Sequence, residues 1–468
     1  MTNLNVELIE SNMSFSVSKN FGEFEWAGTN LRTVFSQTSN LFNLKFFMML
    51  KDIMKFHSQA IEVSNYNDKL KFENNGNDSD ERFVKMSVKE FLHANNYSEA
   101  FYEDYLLPMT ASIWSTPAGA LKDFPLLTLV KFMRNHQLLQ IGNRPKWKTV
   151  NNGSQSYIDA ILKTIRNVKI NLSTSVYSIK RRKVIGEPVV LLKTKKEVLE
   201  FDHVIFAVHT DQALKILKEE NDCSELEFEI LNSIQYIKNK CTLHRDPRLM
   251  PKRKNCWASW NYLTERVSSG KKSDTSLCLT YWMNKLQKFI DKETYGDVFV
   301  TLNPLTQPKS ELILGEWEYS HPLYNEKTVE AQEKLNSIQN NNFASFTGAW
   351  TNYGFHEDGL TSGLLAAVSL GAECPFEIAL NGGYPTNRKV YPVPDWSRIS
   401  FDTKIKEQGN AVSSFRINIH FNFKSYHGST KNIQNREFHL QKSIVELEKP
   451  KAHLISMKKS RKPLQRDK

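Results

Sequence analysis

The sequence predicts a mixed α/β fold in two interleaved parts, and three observations carry that expectation. Val204-Ile205-Phe206-Ala207-Val208 is an uninterrupted apolar run of the kind found in a buried parallel strand. Residues 345–371 pass from a strand-like segment through a glycine-rich loop into a helix of small residues. The middle of the chain, about 225–330, mixes short strand patterns with aromatic-rich loops. A length of 468 residues, with 28 Phe and 9 Trp, supplies apolar area for two domains.

Taken in order, Ser14–Val17 and Glu23–Trp26 read as two short strands with Gly22 at the turn between them. A helical region follows to about Ala60. Its most apolar stretch, Leu41 to Phe56, is interrupted by Asn43, Lys45, Lys51, Asp52 and Lys55, too often to cross a bilayer. It reads as an amphipathic core helix, with a helix lying on a membrane as the alternative. Asn65 to Glu81 is a loop by composition. Ser87 with Glu90 forms a capping-box signature that opens a helix, and the helical pattern continues through Tyr105 until Pro108 stops it.

Asn151-Asn152-Gly153-Ser154 is a turn, after which Tyr157, Ile158, Ile161, Leu162 and Ile165 recur at helical spacing. Val168, Ile170 and Leu172 alternate as a strand, Val176–Ile179 make another, and Val189–Leu192 with the segment to Phe201 suggest a hairpin. The run at 204–208 leads into a short helix, Asp211–Leu217. Near the end, Ser345–Ala349 is strand-like, Thr361-Ser362 caps a helix from Gly363 to Leu370, and Gly371 ends it. Phe415, Ile417, Ile419 and Phe421 alternate as one strand inside a weakly structured basic tail, 391–468.

The formal charge of +11 speaks to association, not to fold. Lys458, Lys459, Arg461, Lys462 and Arg466 read as a solvated tail, a polyanion site being the alternative. No zinc-type spacing or nucleic-acid motif accompanies the charge, so neither a metal nor a specific nucleic acid is expected. Five cysteines without a CxxC pair fit free thiols in a reducing compartment. With no signal peptide and no spanning segment, a cytoplasmic protein is expected.

Gly348-Ala349-Trp350, Gly354-Phe355-His356-Glu357-Asp358-Gly359 and the helix after them form the strongest local signal. Such a segment places backbone N–H groups at a helix N-terminus, where negative charge is favoured, or it is an ordinary connection before a core helix. Both readings stand on the residues alone.

The segment from Phe346 through Trp350, Gly354 and Gly359 to Leu364 resembles the carboxy-terminal FAD signature of the flavin-containing amine oxidase superfamily. It looks closest to the branch associated with cyclopropane-fatty-acyl synthases. Met13-Ser-Phe-Ser-Val, Trp114-Ser-Thr-Pro, the block from His136 to Trp147, Leu243-His244, Trp257 to Tyr262, Thr280 to Gln287 and His321-Pro322 agree in order over about residues 11–388. The resemblance implies FAD as cofactor, Val176 at its adenine, and Gly348, Trp350, Glu357, Asp358, Gly359, Leu360 and Thr361 around its ribityl chain and flavin.

It also implies an amine-oxidase-like region over 1–390: cofactor-domain pieces at about 147–217 and 343–372, and a substrate domain at about 12–146 and 218–342. The cofactor domain would be Rossmann-like and the substrate domain a mixed sheet with covering helices. The family opens with a strand–GxGxxG–helix unit, and no GxGxxG occurs in this sequence. The expectation is therefore a cofactor domain truncated at its N-terminus, with Val204–Val208 deprived of a neighbouring strand.

His356 is either a residue that tunes the flavin or shuttles a proton, or a hydrogen-bonded structural histidine. His244 beside Asp246 is either a general base or part of a surface ion pair. Trp257, Trp260, Tyr262, Tyr281 and Trp282 either line a pocket for a flat or lipid-like substrate or pack in the core. The activity expected is hydride transfer from a C–N or C–C bond to FAD. The alternatives are a non-catalytic remnant without FAD and a basic protein that binds a membrane or polyanion.

Overall fold

The computed structural model describes residues 4–73, 83, 86–117, 119, 122–140, 146–184, 187–265, 277–374, 415–422 and 452–459. Seventeen strands occur among them: β1 (Leu8–Glu10), β2 (Phe15–Lys19), β3 (Phe24–Ala27), β4 (Lys148–Val150), β5 (Val168–Asn171), β6 (Val176–Val184), β7 (Glu187–Thr194), β8 (Val198–Phe201), β9 (His203–Ala207), β10 (Tyr236–His244), β11 (Trp260–Thr264), β12 (Cys278–Trp282), β13 (Phe299–Leu302), β14 (Ile313–Pro322), β15 (Ala344–Phe346), β16 (Phe415–Asn422) and β17 (Ala452–Lys459).

Two sheets dominate. The larger runs β14-β10-β13-β12-β11-β2-β3 and is antiparallel except where β11 lies parallel to β2. The other runs β15-β9-β17-β16-β5. The small sheets β6-β7-β8 and β1-β4 are antiparallel. The class is the mixed α/β architecture expected. The alternation at 415–421 is a strand, as expected, but it has a partner in β17, and the two enter the second sheet. β9 therefore has a neighbour on each side: parallel β15, and antiparallel β17 where the sequence left a gap. The rest of 391–468 lies outside the described residues.

Three helical expectations need correction, each for a stated reason. The Leu44–Glu73 helix continues through the first part of the predicted loop. Its inner stripe of Phe56, Ala60, Val63 and Asn67 stays buried at helical spacing, and Arg134 Nη1 donates to Ser64 Oγ at 2.6 Å, so packing overrides composition. Pro108 does not stop its helix but begins a new stretch, Leu107–Trp114, after a π-helical turn at Tyr102–Leu106. The carbonyl that a proline at 108 leaves free, that of Asp104, accepts from Trp26 Nε1 at 3.1 Å instead. The late helix spans His356–Ser369, seven residues earlier than Gly363. Asp358, its third residue, accepts the Phe355 N–H at 2.9 Å, so the cap comes from inside the helix and not from Thr361.

Apolar residues form two main clusters. One joins the large sheet to the helices at 44–73, 107–114 and 126–135, with Phe46, Phe56, Trp114, Phe132 and Val300 among its members. The other holds Val176, Ile179, Val204, Phe206, Phe346 and Trp350 with the helices Thr210–Lys218, Glu225–Ser233 and Glu326–Lys334. Phe206 and Phe346 stack there at 5.2 Å, holding β9 to β15.

Candidate functional site

Strand periodicity builds one wall of a large cavity. Phe15, Trp260, Tyr281, Val300 and Leu243 are register partners in a row across β2, β11, β12, β13 and β10. All but Phe15 line a cavity of about 1240 Å³. Because successive residues of a strand alternate faces, the neighbours of that row form a second row behind it: Ser16, Asn261, Thr280, Thr301 and Thr242. Every member of this second row is buried, and the polar groups satisfy one another: Ser16 Oγ donates to Asn261 Oδ1 at 2.8 Å, and Thr280 and Thr301 share a hydrogen bond at 2.8 Å. Trp317 extends the aromatic wall on β14. Its ring lies over Gly315, where a Cβ would meet it at 2.2 Å.

The facing wall is a single stretch of chain. After β15, Thr347, Gly348 and Trp350 line the cavity, followed by Gly354, Phe355, His356, Glu357, Gly359 and Leu360 at the start of the His356–Ser369 helix. Gly348 sits at φ 148° and ψ 168°, a region nearly closed to other residues. A Cβ there would lie 2.6 Å from Trp350 Nε1. The Gly348 N–H donates to Ser362 Oγ at 3.0 Å, and Trp350 Nε1 donates to the Val208 carbonyl at 3.0 Å, which locks the turn to the helix and to the end of β9. Asn352 Nδ2 donates to Asp358 at 2.8 Å. Tyr157 and Ile158, from the predicted helix now seen at Gln155–Thr164, add a side.

Of the residues singled out in the sequence, Gly348, Trp350, Glu357, Gly359, Leu360 and His356 come together on this wall. Asp358 and Thr361 lie behind it as buried supports, Thr361 Oγ1 donating to Glu357 Oε1 at 3.3 Å. Val176 starts β6 within the second cluster and does not line the cavity. His244 does not reach the cavity either: Leu243 points there, and its neighbour turns to the polar face. Its Nε2 meets Thr301 Oγ1 at 2.7 Å while its Nδ1 accepts the Asp246 N–H at 3.0 Å, and burial lowers its pKa to about 4. Asp246 is buried and pairs with Arg248, not with that imidazole. Trp260 and Tyr281 line the cavity, whereas Trp257, Tyr262 and Trp282 do not.

Three lining residues carried little or no signal as site residues. His321 appeared only inside the His321-Pro322 block. Its Nδ1 accepts from Asn239 Nδ2 at 3.0 Å, and burial, reinforced by His209, lowers its pKa to about 4. His209 stacks on Tyr236 at 4.5 Å and is also pushed down by burial. Tyr324 is 2% exposed, with no hydrogen-bond partner for its hydroxyl among the described residues. An ideal Cβ on Gly354 would fall 2.7 Å from that oxygen. The indole N–H of Trp260 is likewise buried, with no hydrogen-bond partner among the described residues. No cluster of three metal-ligating side chains occurs among the described residues.

No curated protein matches this chain in sequence. Among solved structures, it is similar to cyclohexylamine oxidase from Brevibacterium oxydans IH-35A, at 12% identity and a TM-score of 0.48, over 79% of this chain and 83% of that one. It is also similar to a CLA-producing fatty acid isomerase from P. acnes, at 12% identity and a TM-score of 0.44, over 74% and 77%. Residues 9–370 match the family model of the flavin containing amine oxidoreductases, and the chain belongs to that family.

Proposed function

We propose that the chain is an FAD-dependent oxidoreductase that removes a hydride from a C–N or C–C bond of a small or lipid-like substrate. Beyond family membership, one observation carries this reading: a glycine turn and a helix N-terminus face an aromatic row across a single cavity. Its volume of about 1240 Å³ exceeds the roughly 300–1,000 Å³ of ordinary ligand pockets, which suits a cofactor and substrate held together.

The residues present fit the flavin end of the cofactor. Gly348 and Gly359 bring bare backbone to the cavity wall, and a Cβ at either would meet the protein itself, the Trp350 ring or the Ala349 backbone. The partnerless hydroxyl of Tyr324 and the N–H of Trp260 are donors in want of an acceptor such as a ring carbonyl or a substrate oxygen. Bound flavin supplies the two-electron chemistry as hydride acceptor. The peptide N–H groups opening the His356–Ser369 helix favour negative charge beside them. Trp260, Tyr281 and Trp317 exclude water and pack against an apolar substrate. His209, His321 and His356 are each held toward the neutral imidazole by burial.

One observation favours a second reading, a family member that does not hold FAD: β17 pairs with β9 in the sheet that the cofactor domain would use. A visible spectrum of the purified chain with and without added FAD decides between them. A stoichiometric bound-flavin band is expected; a protein that stays colourless in excess FAD would leave the second reading.

A further inference from the structure

A surface helix in a globular domain needs one apolar stripe, facing the core. The first turns of the Leu44–Glu73 helix have two. The inner stripe buries Phe46, Met49 and Phe56, while Leu44, Phe47, Met48 and Met54 point outward. Leu44 is 75% exposed. Phe42, in the 3-10 turn Thr38–Phe42 just before it, is 91% exposed, and Leu31 in the short helix Leu31–Val34 is 77% exposed. Scattered exposed apolar residues are ordinary; a group on one preformed edge marks an interaction surface.

The edge is fixed from beneath. Phe35 packs against both Phe46 and Phe47, at 5.8 and 6.1 Å between ring centroids, which clamps the Leu31–Val34 helix to the long one. Asn40, 1% exposed, donates from Nδ2 to the Glu25 carbonyl at 3.1 Å and pins the intervening turn to β3.

Charge identifies the occupant. From Gly28 to Lys51 the sequence has no Asp or Glu, and its only charged residues are Arg32, Lys45 and Lys51, all exposed. A stretch of chain with three exposed cations and no acid of its own, set around protruding Leu and Phe side chains, complements an anionic bilayer, whose surface attracts cations and whose boundary accepts apolar groups. No described helix is long and apolar enough to cross a membrane. We propose that the face formed by residues 31–51 docks on an anionic lipid surface, with Leu31, Phe42 and Leu44 entering the headgroup boundary and Arg32, Lys45 and Lys51 meeting lipid phosphates.

The test sediments the full chain with phosphatidylcholine vesicles, with and without phosphatidylglycerol, at low and physiological salt. Binding to the anionic vesicles that weakens with salt is expected. The double variant Phe42→Ser, Leu44→Ser should lower it more than roughly tenfold. The double reversal Lys45→Glu, Lys51→Glu alters only exposed side chains and should weaken it by about tenfold or more. Absence of binding at low salt overturns the proposal. So does binding that survives both double variants, because it would then belong to other basic residues such as Lys458 and Lys459. A dimer seen by light scattering that Phe42→Ser, Leu44→Ser abolishes, without vesicle binding, would make this face a contact between copies of the chain and overturn it as well.

Discussion

The two large sheets both lead to one cavity, yet they are assembled in different ways. Five consecutive strands, β10 to β14, with β2 and β3, make the seven-stranded sheet, and its cavity wall follows from register: one residue per strand in a row, with a hydrogen-bonded polar row behind. The five-stranded sheet collects β5, β9, β15, β16 and β17 from segments far apart in sequence, and its side of the cavity is not a sheet face but one turn leading into one helix. A row set by register is shared among many backbone hydrogen bonds. A turn is held by a few named contacts: Gly348 to Ser362, Trp350 to Val208, and Asp358 to Phe355 and Asn352. The difference predicts where the molecule gives way.

Acid should produce the largest effect and act on both sheets. His203, which ties β9 to β15 through Ser345 Oγ at 2.8 Å, has its pKa pushed down by burial to about 3; His244 and His321, on the larger sheet, fall to about 4. In the unfolded chain these groups titrate near 6.5. Their neutral forms therefore stabilise the fold fully above about pH 6.5, and that contribution is lost as pH falls toward 4 and 3. The loss is on the order of 2 kcal/mol each by pH 5. Urea midpoints measured from pH 7 to pH 4.5 should decline steadily. A flat profile would mean that these imidazoles are not buried as described.

Ile455→Pro separates the sheets. Ile455 pairs with Ile205 on one side and Ile419 on the other, so a proline there removes a ladder bond in the middle of the five-stranded sheet. A cost on the order of 3 kcal/mol is expected, with hydrogen exchange rising at residues 204–207 and unchanged at 279–281. Equal protection in both proteins would show that β17 does not occupy the place beside β9.

Much of this was legible in the sequence because the signals were local. Ser87 and Glu90 form the capping box the spacing announced, and Val204, Ile205, Phe206 and Val208 are buried where a continuous apolar strand should be. The glycine-rich segment at 348–359 was visible as well, since positive φ and a helix N-terminus leave marks in composition. The contents of the cavity's sheet wall were half visible. Trp260 and Tyr281 belong to one aromatic set in the sequence, but the folded sheet divides it: alternation turns Trp282 away from the face of Tyr281, Tyr262 lies two residues further along β11 on the face of Trp260, and Trp257 sits in the turn before the strand. The same alternation turned His244 away from the cavity. The place of β17 was hidden for another reason: a strand that pairs with residues some 250 positions away carries no local sign of its partner.

Each wall of the cavity has a glycine roofed by the tryptophan two residues on, and the pair of alanine substitutions compares the walls directly. Gly315→Ala drives a methyl into the Trp317 ring but needs no unusual backbone, so roughly 1–2 kcal/mol of overpacking is expected. Gly348→Ala meets Trp350 Nε1 and also forces alanine to a φ of 148°, so its cost should be larger, roughly 2–3 kcal/mol. Urea unfolding of the two variants ranks them. Equal costs would indicate that the turn at Gly348 relaxes freely and is not held by its contacts to Ser362 and Val208.

Tyr324→Phe is the smallest change. In the protein without ligand the hydroxyl is buried with no partner among the described residues, so removing it takes away a desolvation penalty and no hydrogen bond. Stability should hold or rise by less than about 1 kcal/mol. The ring would keep its place between Trp114 and Phe124, whose centroids lie 6.2 and 6.3 Å away. If the hydroxyl exists to meet a ligand in the cavity, the same substitution should weaken binding of that ligand, with added FAD as the first to titrate. Stability and binding would then move in opposite directions, which is the mark of a group kept for function at the expense of the fold. A clear loss of stability in the variant would instead show that the hydroxyl is bonded in the free protein, and Tyr324 would join the framework and not the site.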